Sequence, residues 1–345
     1  MKAKMSIIHH SLRVVLPQQV LKKGCLLWIT LAFLSATFVR AETLSFKDKR
    51  GVTVAIDTPV KRAIIHINYE IIPALGVWDR VVGMGSTAFT NDLVKATKPM
   101  TQKIPVVGDI NRINAEHVAS LKADLLITWN YNIEELRFIE QKGKTKVVAF
   151  YPESLGEFYD MLRTMGALFG KKREASYTIQ RMEQLFNLVR KKAVTNSPES
   201  KRRVLWLGGK PTVVICRNEP INNIIEMTGA KNPASTINKR NTEVSIEQIM
   251  AWDPEVIFIT GHATYSAKDI MNNPQWKHVK AVRHGRVYKA PEWSTWSPRL
   301  APVTLWMASR IYPERYRDVN LEKCIDEFCR AVFHIPYAKV TQIER

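Results

Sequence analysis

The chain has 345 residues, 46% of them apolar, and a formal net charge of +19. This length allows two domains with separate cores, and the apolar content excludes a globally disordered protein. Residues 1–41 hold six of the 51 basic and none of the 32 acidic residues, so the rest carries a net charge of +13. Such an excess indicates a solvated basic surface or an anionic ligand. Since no Lys/Arg run exceeds three residues, we expect no nucleic-acid partner.

The N-terminus predicts export. Lys22 and Lys23 precede the apolar stretch 25–39, and Val39-Arg40-Ala41 offers a small-residue cleavage site. The stretch is too short for a comfortable membrane span. We therefore predict a cleavable signal peptide over residues 1–41 and a periplasmic location, with retention as an anchor as the alternative. No transmembrane segment is expected in the mature chain.

Three cysteines follow the predicted signal: Cys216, Cys324 and Cys329. An odd number leaves at least one thiol free in an oxidising compartment. Cys324 and Cys329 lie five residues apart on a predicted helix, which suits pairing poorly, so pairing and simple burial both remain open. No C-x-x-C or H-E-x-x-H spacing occurs, and no dedicated zinc site is predicted.

Strands and helices alternate along both halves of the chain. The first half predicts a β-hairpin over 43–57, strands at 62–66, 81–83 and 146–150, and helices at 70–75 and 133–141. The second half predicts strands at 204–207, 212–215 and 285–288, and helices at 221–227, 300–311 and 321–333. Between them, apolar residues at helical spacing over 154–193 predict one long or two abutting helices. We therefore expect an α/β fold with two parallel-sheet lobes, 42–153 and 194–345, a rigid helical connector, and a ligand cleft between the lobes.

One pattern occurs in both halves. A helix N-cap residue is followed by a glutamate in the first turn, then an acidic residue and a buried-type strand. Glu116 belongs to the first copy and Glu247 to the second. A carboxylate there suits the positive end of the helix dipole. The repetition indicates two similar α/β lobes.

Several short motifs, in this order and spacing, are similar to those of a known family. They are Arg62-Ala-Ile-Ile, Val81-Val-Gly, Pro105-Val-Val-Gly, Asn114-Ala-Glu to Ile127, Gly229-Ala-Lys-Asn, Ser245-Ile-Glu to Ile257, Gly285-Arg-Val-Tyr and Tyr312-Pro-Glu. Over about residues 44–318 the chain resembles the periplasmic substrate-binding proteins of ABC importers for iron–siderophore, haem and cobalamin-type chelates. The resemblance implies a monomer whose two lobes move little. It also implies that Glu116 and Glu247 dock onto arginines of the permease dimer; the alternative is that both only favour their helix N-termini.

Loops that follow predicted strands carry the candidate ligand-binding residues. They are Tyr69, Arg112, Trp129, Arg217, Arg240, His262, Tyr265, Trp293, Trp296 and Arg299. Aromatic rings pack flat chelates and arginines bind carboxylate or catecholate oxygens. His262 and Tyr265 suit direct metal ligation. Structural alternatives stand beside these roles: Trp129 as strand-end core, Arg217 paired with Glu219, Lys239-Arg240 as a solvated turn, and a structural His262. The loop 292–299, with two tryptophans and an arginine, is the strongest candidate.

We predict an exported binding protein, not an enzyme, with no intrinsic cofactor and an iron–siderophore complex as its first candidate cargo. Haem, cobalamin, a nickel complex and a molybdate-type oxyanion are the alternatives. Haem would use Tyr69, His66 or His262 as axial ligand, and an oxyanion would need a closed arginine-lined site. A metal chelatase on the same fold and an adhesion or scaffold protein are the competing classes. No G-x-S-x-G, P-loop or dinucleotide motif supports an enzyme.

Overall fold

Two β-sheets organise the chain in the computed structural model, which describes residues 42–100, 103–129, 132–193 and 201–341. The strands are β1 (Glu42–Lys47), β2 (Thr53–Thr58), β3 (Ala63–Ile65), β4 (Val81–Met84), β5 (Gly108–Asp109), β6 (Arg112–Ile113), β7 (Leu125–Thr128), β8 (Lys146–Ala149), β9 (Val204–Leu207), β10 (Val213–Ile215), β11 (Asn241–Glu243), β12 (Val256–Ile259) and β13 (Val287–Lys289). The predicted signal peptide lies outside the described residues.

The first sheet has the order β4-β3-β7-β8 and is parallel throughout. The second has the order β11-β10-β9-β12-β13. Its strands β9, β12 and β13 are parallel, whereas β10 and β11 extend it as an antiparallel edge. Separate hairpins form from β1 with β2 and from β5 with β6. The predicted α/β class with parallel sheets is confirmed, and the antiparallel edge is an addition that the sequence pattern did not reveal.

Helices cover and connect the sheets. They are α1 (Ile71–Leu75), α2 (Asp92–Thr97), α3 (Ala115–Ser120), α4 (Ile133–Lys142), α5 (Leu155–Leu168), α6 (Lys172–Lys192), α7 (Pro220–Met227), α8 (Ile246–Trp252), α9 (Ala267–Asn272), α10 (Lys280–Arg283), α11 (Leu300–Ile311) and α12 (Leu321–Phe333). The region between the sheets is two abutting helices, α5 and α6. Gly170, at φ 68°, separates them, because this left-handed conformation ends a helix and suits glycine.

One large apolar core runs through both halves of the described chain. It includes Ile65 of the first sheet, Phe258 of the second, Met182 of α6, Trp306 of α11 and Phe328 of α12. Helix α12 also packs against α1 of the first half. Because the core is continuous, opening the two halves would expose apolar surface at a cost of about 25 cal/mol per Å². This packing opposes large movements between the sheets.

The three cysteines that the structure describes are free thiols, and Cys216 and Cys329 are buried. Cys324 and Cys329 sit on the single helix α12, and side chains five residues apart on a helix diverge, so the pairing that the sequence left open does not form. Among the described helices, none combines the length and apolarity that crossing a bilayer requires.

Candidate functional site

Loops that leave the carboxyl ends of β3, β4, β7, β12 and β13 meet around two adjacent cavities. The larger, of about 300 Å³, is lined by Tyr69, Thr87, Thr90, Asn91, Asp92, Ile110, His262, Glu292 and Thr341. The smaller, of about 220 Å³, is lined by Ile67, Asn68, Tyr69, Glu70, Thr87, Ile110, Trp129, Thr260, His262, Trp293, Ser294, Thr295 and Trp296. Four residues line both, so we describe the two cavities together as the cleft. Ligand sites of α/β sheets occur in this position.

Close backbone packing positions the two loops of the second sheet. A Cβ on Gly261 would lie 2.2 Å from the carbonyl oxygen of Pro291, so only glycine allows this approach. His262 follows Gly261 directly, and Glu292 follows Pro291. The contact therefore brings an imidazole and a carboxylate to the same cleft.

His66 fixes the loops of the first sheet and is not a free ligand. One ring nitrogen lies 2.9 Å from the Thr128 hydroxyl and the other 2.7 Å from the carbonyl oxygen of Asp109. The ring is 1% exposed, and burial lowers its pKa. Both nitrogens are occupied, so the suggested use of His66 as a haem ligand is not supported. Its bonds instead join β3, β7 and the β5–β6 hairpin.

Arg299 lies behind the cleft, not in it. Its Nε donates to Glu70 Oε2 at 2.8 Å, a second bond joins Nη2 to Glu70 Oε1, and Nη1 donates to Asp92 Oδ1 at 2.8 Å. The guanidinium carbon is 4.6 Å from the centre of the Trp293 ring. The side chain is 0% exposed. This corrects the expectation that Arg299 binds ligand: two carboxylates of the first half of the chain already neutralise it.

The same network sets the protonation of the cleft wall. Burial alone would raise the pKa of Asp92, but the Arg299 guanidinium lowers it overall, so this carboxylate stays ionised. Burial, reinforced by Glu70, raises the pKa of Tyr69 to about 12. Tyr69 therefore presents a protonated phenol to the cleft.

Arg240 is neutralised in a similar way. Its Nη2 lies 2.5 Å from Glu219 Oε2, and its guanidinium carbon is 4.5 Å from the Tyr151 ring centre and 4.7 Å from that of Trp296. Burial raises the pKa of Glu219 to about 7, although Arg240 opposes this. Arg240 does not line the cleft, contrary to the predicted ligand contact; it supports Trp296 from behind.

Three tryptophans give the smaller cavity an aromatic wall. The rings of Trp129 and Trp296 meet edge to face at 6.3 Å, and Tyr151 packs on both. Trp293 and Trp296 are 5% and 8% exposed. Edge-to-face packing holds each ring in one orientation. The predicted residues Tyr69, Trp129, His262, Trp293 and Trp296 thus come together.

Three other predicted residues lie elsewhere. Arg112 is exposed on the β5–β6 hairpin, and Arg217 is exposed with its Nε donating to the Ser235 carbonyl at 2.9 Å. Tyr265 packs against the core of the second sheet and donates to the Gly208 carbonyl at 2.7 Å. Tyr265 lines neither cavity, whereas His262 lines both, so the suggested His–Tyr metal pair is not supported. Within the described residues, no cluster of three His, Cys, Asp or Glu could hold a metal ion by itself.

Four functional positions escaped the sequence analysis. Glu70 and Asp92 hold Arg299, Ile110 lines both cavities, and Thr341 closes the larger one. The sequence Asn91-Asp92 indicates only the start of a helix, because the Asn91 side chain caps α2 by accepting a hydrogen bond from the Val94 N–H. Nothing in the pattern near residue 341 indicates a return to the first half of the chain.

The two repeated glutamates lie in the first turns of short helices. Asn114 caps α3 through His117 N, and Ser245 caps α8 through Gln248 N. Glu116 and Glu247 are exposed. For Glu247, bonds to its own backbone N–H and to Ser245 lower the pKa. Both carboxylates lie on the surface and do not line the cleft.

Comparison with known proteins agrees with this geometry. The family model described as periplasmic binding protein matches residues 67–292. An uncharacterised ABC transporter substrate-binding lipoprotein of Bacillus subtilis, YvrC, is 26% identical over 285 residues, which cover 80% of this chain and 87% of that protein. The molybdate-binding protein MolA of Haemophilus influenzae is 22% identical over 323 residues, covering 84% and 91%.

Solved structures share the fold. Helicobacter pylori CeuE in complex with Ni-His superimposes with a TM-score of 0.77 at 24% identity, covering 87% of this chain and 100% of that one. At this identity the likeness establishes the architecture and not the ligand.

Proposed function

Because the chain belongs to the periplasmic binding protein family, we propose that it captures a small metal chelate and delivers it to an ABC-type importer. The observation that carries this proposal is the position of His262. It lines both cavities from the second sheet, opposite Tyr69, Thr87 and Ile110 of the first. An exposed imidazole at that point suits a metal whose chelator leaves one coordination position open.

The size of the cleft favours a small complex. Taken singly, the cavities of about 300 Å³ and 220 Å³ are at or below the lower end for ligand sites, and both haem and cobalamin are larger than either. Burial adds to the cost of using Tyr69 as an axial phenolate ligand for haem, because it disfavours the ionised form and raises the pKa to about 12. A large siderophore, our first candidate from sequence, fits less well than a compact chelate. An oxyanion is disfavoured because no described arginine or lysine lines either cavity.

Tryptophan fluorescence tests this proposal, since three tryptophans line the smaller cavity. Ferric citrate, nickel–histidine, haemin, cobalamin and molybdate should be titrated into the purified protein. We expect quenching by a compact chelate and a loss of at least about tenfold in affinity in His262→Ala. Tyr265→Phe is the matched control and should bind normally. Saturable quenching by none of the five, or equal affinity in His262→Ala, would refute the proposal.

Delivery requires a docking surface, and we assign it to Glu116 and Glu247. Exposed carboxylates on separate helices would pair with basic residues of a permease dimer and orient the protein on it, at the modest affinity that transient docking needs. This role is independent of ligand binding because neither residue lines the cleft.

An enzymatic role has less support. The relatives are named as binding proteins, and three of the titratable groups around the cleft are held in other contacts: Glu70 and Asp92 by Arg299, and His66 by Thr128. His262 and Glu292 are exposed at the larger cavity, where we assign them to cargo binding. A general acid–base pair needs two groups within reach of one substrate atom. We therefore propose binding and transport without catalysis.

A further inference from the structure

The charge of the cleft wall is opposite to the charge of the chain. Asp92 and Glu292 line the larger cavity and Glu70 lines the smaller one, whereas no described lysine or arginine lines either. Arg299 is the nearest guanidinium, and it is shared between Glu70 and Asp92. Three carboxylates and one guanidinium leave the wall with a negative balance, although residues 42–345 carry +13.

The other arginines that were candidates for anion binding are not available to correct this balance. Arg240 is paired with Glu219 and stacked between two rings, and Arg217 is exposed and lines neither cavity. Lys289 donates to the Ala263 carbonyl at 2.7 Å. Arg112 is exposed on the hairpin whose tip, Ile110, lines the cleft, but Arg112 itself lines neither cavity.

Glu292 is the carboxylate of the cleft wall that Arg299 does not neutralise. It is exposed at the cavity wall and makes no ion pair or hydrogen bond with the residues that the structure describes. The other polar groups that line the larger cavity include the neutral hydroxyl residues Tyr69, Thr87 and Thr90. The cavity wall thus combines an unpaired carboxylate with neutral hydroxyl groups, and no described lysine or arginine lines it.

We infer that the cargo is a metal complex of zero or positive net charge, held by neutral donors and by the field of Glu292 and Asp92. This inference rests on the proposed function and narrows it. Siderophore and citrate complexes with several uncompensated carboxylates or catecholates would meet like charge in a partly desolvated site, where each pair costs more than in water. A complex whose chelator only balances the metal charge would avoid that cost.

Nickel(II) complexes of one size class and different charge test this inference by calorimetry. Complexes with one chelator per nickel leave coordination positions open for His262: the neutral iminodiacetate complex, the dicationic histidine methyl ester complex and the dianionic N-(phosphonomethyl)iminodiacetate complex are suitable probes. We expect the first two to bind at least about tenfold more tightly than the third. Rising salt should weaken binding of the dication. If the dianionic complex binds most tightly, the charge inference is overturned and the transport proposal stands; if no chelate binds, including those in the fluorescence panel, the transport proposal itself fails.

A charge reversal gives a second measurement. Glu292→Lys should lower affinity for the dicationic complex by about tenfold or more and raise affinity for the dianionic one. Glu243→Lys changes the net charge by the same amount on the edge strand β11, outside both cavities, and should leave both affinities within about twofold. Equal responses of the two variants would show that overall charge, and not the cleft wall, sets the preference.

Discussion

Arg299 and Glu70, 229 residues apart in the chain, form a fully buried ion pair that joins the loop before α11 to the loop after β3. Asp92 completes the arrangement at the start of α2. The pair therefore connects the two halves of the fold directly beneath the cleft, and its loss should disturb both stability and binding.

Replacing Arg299 with methionine should lower the free energy of unfolding by about 3–5 kcal/mol, because the buried Glu70 carboxylate and the partly buried Asp92 carboxylate would remain without a cation. Urea denaturation measures this change. Arg163→Ala removes an exposed ion pair to Asp160 and should cost no more than about 0.5 kcal/mol. Similar values for the two variants would contradict the role of the buried pair.

The pKa of Glu219 predicts a pH dependence of stability. The pKa of Glu219 is about 7 in the folded state, above its ordinary value of 4.5. Between pH 4.5 and pH 7, Glu219 is therefore protonated in the folded state and ionised in the unfolded state. The free energy of unfolding should therefore fall as pH rises from about 4.5 to about 7, by on the order of 1–3 kcal/mol. In Glu219→Gln this contribution is absent, so the difference between the two pH profiles isolates it. Parallel profiles would argue against the raised pKa.

Docking through Glu116 and Glu247 predicts a separation of transport from binding. Glu116→Gln combined with Glu247→Gln should abolish uptake in cells while calorimetric affinity for the cargo is unchanged. Glu134→Gln with Glu322→Gln is the matched control, because these exposed glutamates also lie in first helical turns. Each substitution in either double variant removes a favourable interaction between a carboxylate and a helix dipole, worth about 0.3–1 kcal/mol of stability. The two double variants should therefore differ only in docking. Normal uptake in the first double variant would exclude the assignment.

Thr341 should act through its backbone. Its N–H donates to Asp92 Oδ2 at 2.8 Å, and the residue closes the larger cavity. Thr341→Pro removes this donor, and we expect a loss of about 1 kcal/mol in stability and a severalfold weaker cargo affinity. Val340 is already extended, as a residue before proline requires. Thr341→Ala keeps the N–H and should change affinity less; if the alanine variant is equally impaired, the side chain matters instead.

Gly261→Ala should damage the cleft without touching a ligand-contacting side chain. The added Cβ must push Pro291 away, which separates His262 from Glu292. We expect cargo affinity to fall at least about tenfold. At Gly209 a Cβ would meet nothing within 4 Å, so Gly209→Ala should bind normally. Unchanged affinity in Gly261→Ala would show that the two loops tolerate separation.

The architecture could be predicted from sequence because strands such as Val256–Ile259 and helices such as Leu155–Leu168 carry strong local patterns. The antiparallel pairing of β10 could not, since local pattern does not encode strand direction. In the site, the aromatic residues were found because large rings in short loops are costly unless they pack or bind. The arginines were misjudged: a guanidinium in a loop gives no sign of the buried carboxylate it meets, and Glu70 and Asp92 are far from Arg299 in sequence.

The bonds around Asp92 also impose an order on folding. Glu70 and Asp92 belong to the first sheet's loops, yet their partners are Arg299 and Thr341, near the far end of the chain. Contacts of such long sequence separation are typical of slower folding, because the intervening chain must be ordered when they form. The cleft loops of the first half therefore take their final positions only when α11 and the segment after α12 have docked. A chain truncated before Arg299 would lack both the guanidinium and the backbone donor that hold Glu70 and Asp92 in place.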